Sequence, residues 1–344
     1  MANILYGVNG EGAGHSSRCK EVITHLIERG HRVHVVSFDR GLKNLAPFFE
    51  VTEIYGLRFA YVNNRVRYGK TVAKNLLTAP RAARSLHKLA SLADEWQIEM
   101  VFTDFEPLSC HFGRRRRLPV VSIDNQHCLT NAEVSYPRKY RKEAAAAKLV
   151  TRLMTPHADA YLATSFFDAA VRKANTWLVP PIVRREVLGV RPSSEGHILV
   201  YVTSPSPQLV KVLRGVRARF VCYGFDRSGS EGNLLFKKPS LDGFLADLAS
   251  CQAIIANSGF SLVSEALHLA KPYLACPVER QFEQIFNAYY LQKFGYGAYW
   301  EQLTRECVES FLYNLPVFRE NLARYARQDN SALFKRVDEL VSRL

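Results

Sequence analysis

Short apolar runs alternate with longer amphipathic segments along this chain, and that rhythm sets the first expectation. In the first half, "NILYGV" (3–8), "RVHVVSF" (32–38), "EVTEIY" (50–55), "EMVFTD" (99–104), "PVVSID" (119–124) and "AYLATS" (160–165) read as strands. They are short, β-branched or aromatic, and most are separated by helix-length stretches. Such alternation predicts a parallel sheet with helices on both faces. The segment "WLVPPIVRREVLGVRPSSEGH" breaks the rhythm with prolines and a Ser-Ser-Glu-Gly turn, and reads as a linker. The rhythm then restarts with "HILVYVTS" (197–204), "RFVCYGF" (219–225), "AIIAN" (253–257) and "PYLACPV" (272–278), with helices over 207–215, 241–249, 261–270 and 281–295 between and after them.

The expected architecture is α/β: two doubly wound, Rossmann-like domains over 1–180 and 197–315, joined by a linker over 181–196. A basic helical tail over 316–344 is expected to pack across the interface. Two such domains in series place a cleft at the carboxyl ends of both sheets.

Composition sharpens this. A chain of 344 residues is more than one core usually holds, and 47% hydrophobic content without low-complexity tracts is globular. The seven cysteines are scattered, with no CxxC pair, which argues against a zinc site or a disulfide framework and for a reducing cytoplasm. "MANILYGV" lacks a signal-peptide pattern, and no apolar run approaches a membrane span. The net charge of +14 is uneven: residues 1–180 hold 26 of the 46 Lys and Arg but only 16 of the 32 Asp and Glu. The first half should therefore meet something anionic: phosphate, anionic lipid or nucleic acid. Arg114, Arg115, Arg116 and Arg117 form one basic run, and the partly amphipathic segment opening on Arg138 and closing on Arg152 is another. Both read either as solvated helix ends or as a docking surface for the inner face of an anionic membrane.

Two glycine turns carry the chemistry. After the first strand comes "NGEGAGHSSR". Gly10 and Gly12 fit the first two places of the dinucleotide fingerprint G-x-G-x-x-G, but His15 stands at the third, where helix and strand should pack closely. No P-loop lysine follows. The turn is thus a small-residue βα connection with an imidazole, leading into a helix near Ser16. It is either structural or catalytic. In the second half, "ANSGFSLVSEALHLAKP" ends a strand in Ser258-Gly259 and starts a helix near Ser261. Free backbone N–H groups and the helix dipole make this an anion site, and Gly259 lets a phosphate approach. Glu265, one turn in, is badly placed for phosphate and well placed for a ribose diol. Glu283 and Gln284 open the next helix as a carboxylate–amide pair of the kind that grips sugar hydroxyls.

The stretch 257–288 resembles the donor-binding signature of GT-B glycosyltransferases. It is similar both to the nucleotide-sugar transferases typified by plant and macrolide glycosyltransferases and to the peptidoglycan lipid-intermediate N-acetylglucosaminyltransferase group, whose N-terminal Gly-His turn "GAGHSSR" resembles. The combination of "SGFSLVSEALHLAKP", "QFEQIFNA" and "SIDNQH" most resembles a microbial branch of this superfamily. The resemblance implies that Gly259 and Ser261 face the donor diphosphate, Glu265 the ribose, and Glu283 with Gln284 the donor sugar. Gly12, Gly14, Ser204, Asn257, Ser258 and Phe260 flank these as further donor-side candidates. It implies His15 as base and Asp104, in "VFTDFEP", as the acid that orients it. The sequence departs from the pattern at Asn257, where the plant motif has a histidine, at Leu262, and at Ser204-Pro205-Ser206-Pro207.

The implied reaction moves a sugar, expected from a UDP-sugar, to an acceptor hydroxyl with inversion. The acceptor is expected to be a lipid-linked or cell-surface glycan precursor, presented by the membrane on which the basic segments would dock. A neutral imidazole suits removal of the hydroxyl proton, and a buried carboxylate would hold its tautomer. There is no DxD motif to place a metal, so the helix dipole at 259–261 is expected to stabilise the leaving diphosphate without one, and no cofactor beyond the nucleotide sugar is expected. "SIDNQH" offers Asp124, Asn125, Gln126 and His127 as acceptor lining, with His127 as a second base candidate; Glu106 is a further acceptor-side candidate. A nucleic-acid-modifying glycosyltransferase, a sugar-nucleotide epimerase or hydrolase, and an inactive sugar-nucleotide sensor stay open as alternatives.

Overall fold

A computed structural model describes residues 1–56, 61–62, 65–66, 79–203, 205–238 and 240–343. The chain divides into two compact units, Met1–Arg184 together with Asp329–Leu344, and Arg185–Gln328.

The first unit is built on β1 (Asn3–Val8), β2 (Arg32–Ser37), β3 (Val51–Glu53), a separate antiparallel pair of β4 (Tyr61–Val62) and β5 (Arg65–Val66), then β6 (Met100–Asp104), β7 (Val120–Asp124), β8 (Ala160–Thr164) and β9 (Thr176–Val179). Its main sheet runs β3-β2-β1-β6-β7-β8-β9, parallel at every pairing. The order reverses between β1 and β6, and in a doubly wound sheet ligands bind at that reversal, beyond the strands' carboxyl ends. The register sets Val8 beside Asp104 there.

The second unit repeats the plan with β10 (His197–Tyr201), β11 (Arg219–Tyr223), β12 (Gly229–Glu231), β13 (Leu234–Phe236), β14 (Ala253–Ala256), β15 (Tyr273–Ala275) and β16 (Gly297–Tyr299). The order is β12-β13-β11-β10-β14-β15-β16, antiparallel only between β12 and β13. Its reversal lies between β10 and β14, with Tyr201 beside Ala256. The two doubly wound sheets are those expected. The strands β4, β5, β9, β12, β13 and β16, of two to four residues each, were not.

Helix Ala13–Glu28 covers one face of the first sheet because Cys19, Val22, Ile23 and Leu26 recur at helical spacing and are fully buried. The segment expected as a linker contains a short helix, Arg185–Leu188. In the tail, helix Leu315–Ala323 stays in the second unit with Leu315 and Leu322 buried. The final helix, Ser331–Val341, instead places Leu333, Val337, Leu340 and Val341 in the core of the first unit, with Ile4, Tyr6 and Val22. Asn330 pins its start by exchanging hydrogen bonds of 2.9 and 2.7 Å with the main chain of Val183.

Candidate active site

At the first reversal, Gly10 passes so close to the Phe38 carbonyl that a Cβ would lie 2.1 Å from its oxygen, and Gly12 takes a left-handed φ of 85°. These two glycines answer to the path of the turn. The helix starts at Ala13 rather than near Ser16, so Gly14 is inside it and His15 stands in its first turn. His15 is 14% exposed, and its Nδ1 lies 2.8 Å from Asp104 Oδ1. Its ring runs parallel to that of Phe105, centroids 6.4 Å apart. Phe105 has a φ of 53°, an uncommon conformation for a large residue. Asn9 braces it, donating from its side chain to the Phe105 carbonyl at 2.9 Å and from its backbone to that of Asp104 at 3.2 Å.

Asp104 is also held by Arg18, three residues beyond His15 on the same helix face. Arg18 donates from Nε to Oδ2 and from Nη2 to Oδ1, both at 2.5 Å, and from Nη1 to Asn125 Oδ1 at 2.9 Å. The Cys19 thiol adds a bond to Oδ2 at 3.0 Å. Burial opposes ionisation of Asp104, but Arg18 and then His15 outweigh it and hold the carboxyl well below the usual carboxylate range. Arg18 was not singled out from the sequence. The available signal was a basic residue at i+3 from the histidine, on a helix with apolar neighbours at Cys19, Val22 and Ile23.

The other first-unit candidates divide differently. Glu106, expected on the acceptor side, is fully buried and caps helix Pro107–Arg116, its carboxylate accepting from the backbone of Leu108 at 3.0 Å and Ser109 at 2.7 Å. An acid before Pro at the first helical position is a helix start, and the carboxylate is consumed by it. Burial pushes its carboxyl up, against those bonds. His127, the second base candidate, is enclosed: Nδ1 faces Asp124 Oδ2 at 2.7 Å and Nε2 faces Thr155 Oγ1 at 3.3 Å. Asp124 is buried and bonded by Ser122 and by the His127 backbone; burial alone would raise its carboxyl, but His127 and these hydrogen bonds together hold it low. Asn125 is committed to Arg18, and Gln126 is half-buried. Arg114, Arg115 and Arg116 end helix Pro107–Arg116, where cations complement the dipole, and Arg117 caps it in a left-handed conformation. Arg114 donates to the His157 carbonyl, and Arg116 pairs with Asp94 at 2.9 Å.

At the second reversal the first turn of helix Phe260–His268 follows Ser258-Gly259. A Cβ on Gly259 would meet nothing within 4 Å. Ser261 is half-buried behind it, and Phe260 and Glu265 are buried on the same helix. Asn257 closes the turn: its Oδ1 accepts from the backbone and hydroxyl of Thr203 at 2.8 and 3.0 Å, and its Nδ2 donates to the Cys276 carbonyl at 2.7 Å. The Ser258 hydroxyl donates to the Gln284 carbonyl at 2.8 Å, and Asn287 returns a bond to the Ser258 carbonyl at 2.9 Å. Gln284 Oε1 accepts from the Val278 backbone at 2.8 Å, which commits the carbonyl end of that amide. Glu283 is half-buried in the first turn of helix Phe282–Lys293. Asn257, Ser258, Gln284 and Asn287 thus lace two helix starts together at one sheet edge. Ser204 lies outside the described residues. Among the described residues no three His, Cys, Asp or Glu side chains are grouped to hold a metal ion.

Solved structures share this fold across the whole chain. The spinosyn forosaminyltransferase SpnP has 16% identity and a TM-score of 0.68, with 99% of each chain covered. The kitacinnamycin glycotransferase has 17% identity and a TM-score of 0.70, covering 99% of this chain and 98% of its own. MurG of Acinetobacter baumannii has 13% identity and a TM-score of 0.63, with both chains fully covered. No curated protein matches by sequence. The two Rossmann-like units are those of the GT-B glycosyltransferases. The sequence profile of glycosyl transferase family 1 matches residues 2–316, and the chain belongs to that family of enzymes.

Proposed function

We propose that this glycosyltransferase moves a sugar from a nucleoside diphosphate to an acceptor hydroxyl with inversion, using His15 as base. The acceptor oxygen attacks the anomeric carbon as the bond to the diphosphate breaks, and its proton passes to Nε2 of His15. Asp104, on Nδ1, stabilises the imidazolium. The observation that carries this is the 2.8 Å contact between Nδ1 and Asp104 on a ring that keeps some exposure, whereas His127 is enclosed. The leaving diphosphate sits at the start of helix Phe260–His268, near Gly259 and Ser261, where backbone N–H groups and the dipole take up its charge without a metal. Glu265 holds the ribose, and Glu283 with the Gln284 amide the donor sugar. UDP-sugars are the first donors to test. TDP-sugars come next, because the spinosyn rhamnosyltransferase SpnG, of the same fold, is solved with thymidine diphosphate.

The acceptor is a lipid-linked or cell-surface glycan precursor met at a membrane surface. Helix Arg141–Met154 supports this: Leu149 and Leu153, 56% and 62% exposed, lie one turn apart among exposed Arg141, Lys142 and Arg152. Among the described residues no helix is long and apolar enough to cross a membrane.

Calorimetry and turnover on two variants test the donor and base assignments. Glu265→Ala should weaken nucleotide binding about tenfold, since a hydrogen bond to a charged group is worth roughly 1.5–3 kcal/mol. His15→Ala should keep that binding and lose about 10²–10⁴ in turnover. Unchanged affinity removes Glu265 from the site, and near-parental turnover in His15→Ala removes the base.

A further inference from the structure

Asp104 has two basic partners, His15 and Arg18, where a carboxylate that orients a histidine needs one. A buried Asp104 whose sole cationic partner were His15 would favour the imidazolium, and an imidazolium cannot take a proton. Arg18 changes that balance. Its guanidinium spans both carboxylate oxygens, and its Nη2 stands 2.9 Å from His15 Nδ1; an arginine N–H only donates, so with Nδ1 protonated the two nitrogens converge on Oδ1 as parallel donors and do not bond each other. With an arginine as permanent counter-charge, Asp104 stays ionised beside a neutral ring. Positive charge arriving on the ring meets a fixed cation at contact distance. Two titratable groups that touch the cluster carry no charge. Burial pushes the Tyr6 phenol, from β1, and the Cys19 thiol, from the same helix, well up, so both are neutral. Asp124, from β7, is paired with His127.

We propose that Arg18 is a positioning residue: it supplies the counter-charge of Asp104, keeps His15 neutral with its proton on Nδ1 and its lone pair on Nε2, and so sets how far into acid the transferase works. This rests on His15 being the base. Arg18 touches no reacting atom; it acts through Asp104 and His15. Nη1, bonded to Asn125 at the end of β7, fixes the guanidinium from a third side, so the fork cannot turn away from the carboxylate.

The pH dependence of kcat/KM in Arg18→Gln and Arg18→Lys tests the proposal, with melting temperatures measured in parallel. A base works only when deprotonated, so activity rises with pH through its titration. Removing the neighbouring cation should move that acid limb upward by about one pH unit or more in Arg18→Gln. Arg18→Lys keeps the charge, so its limb should stay near the parent's even if turnover falls with the lost fork geometry. A merely structural arginine would lower the melting temperature in both variants and leave the limb in place, and that result overturns the proposal. Should Arg18→Gln fail to fold, ¹⁵N NMR of His15 in the parent enzyme at pH 7, assigned with His15→Gln, decides instead. A neutral ring protonated on Nδ1 is expected; a charged ring, or a proton on Nε2, overturns it. Failure of the base reading shows separately, as turnover surviving His15→Ala, and the charge state of the ring still tells what Arg18 does to it.

Discussion

Replacing Asp104 with asparagine removes one charge from a cluster built to be neutral. The volume is nearly unchanged, and the amide oxygen can still accept one hydrogen bond from Arg18. The guanidinium, 5% exposed, is then left with no carboxylate. Breaking a buried ion pair by deleting one partner costs about 3–5 kcal/mol. The retained amide contact argues for the lower end, about 3 kcal/mol. For a folding unit of about 200 residues, each kcal/mol shifts the melting temperature by roughly 2–4 °C. Scanning calorimetry at neutral pH should therefore show the first unit melting about 6–12 °C lower, with the second unit's transition in place. A companion variant carrying Asp104→Leu and Arg18→Met removes both charges and should recover most of the loss, because replacing a whole buried pair by apolar groups is often close to neutral. Turnover should be lost in both, since neither has a carboxylate for His15. An Asp104→Asn melt within about 2 °C of the parent, or a companion no better than the single variant, would refute the view that Arg18 depends on this charge.

Two further outcomes are expected. Leu149→Ser combined with Leu153→Ser should cut partitioning onto phosphatidylglycerol vesicles at least tenfold, since burying each leucine is worth roughly 1.5–3 kcal/mol; a co-sedimentation assay in which the parent does not bind at all ends the membrane reading. Asp104 and Asp124 are both held below the usual range, so the stability they confer is full above their unfolded values near pH 4 and is lost as pH falls through the folded ones. Glu106, pushed up, has the opposite sign: its contribution is present in acid and fades as pH rises. Urea midpoints should thus drop steeply below about pH 4 in the parent and less so in Asp124→Asn; a flat profile down to pH 2.5 contradicts the two depressed carboxylates.

The doubly wound plan was legible because its central strands are apolar runs of four to six residues, with glycine turns after β1 and β14. The same logic brought His15 and Asp104 together, since residues following β1 and ending β6 must meet where the strand order reverses. What pattern could not show was commitment. Glu106 and His127 look like chemistry in a string of letters, but one is consumed by a helix start and the other by a buried pair with Asp124. Asn257 and Ser258 sit inside the motif that resembles a donor site, yet their side chains bond a neighbouring loop and the start of the next helix. Arg18 failed in the other direction. A basic residue on a helix is ordinarily a surface residue, and only the position of Asp104 beneath it makes burial affordable.

The return of helix Ser331–Val341 to the first unit bears on how the protein is made. A ribosome that has finished residues 1–184 has built every strand of the first sheet, but the helix carrying Leu333, Val337, Leu340 and Val341 does not yet exist. The second unit is continuous in sequence and can close as soon as its last residue leaves the exit tunnel. The first unit, begun earlier, therefore closes only after the second has been made. In the interval the apolar face around Ile4, Tyr6 and Val22 lacks part of its cover, and exposed apolar surface of that kind makes an incomplete chain prone to associate.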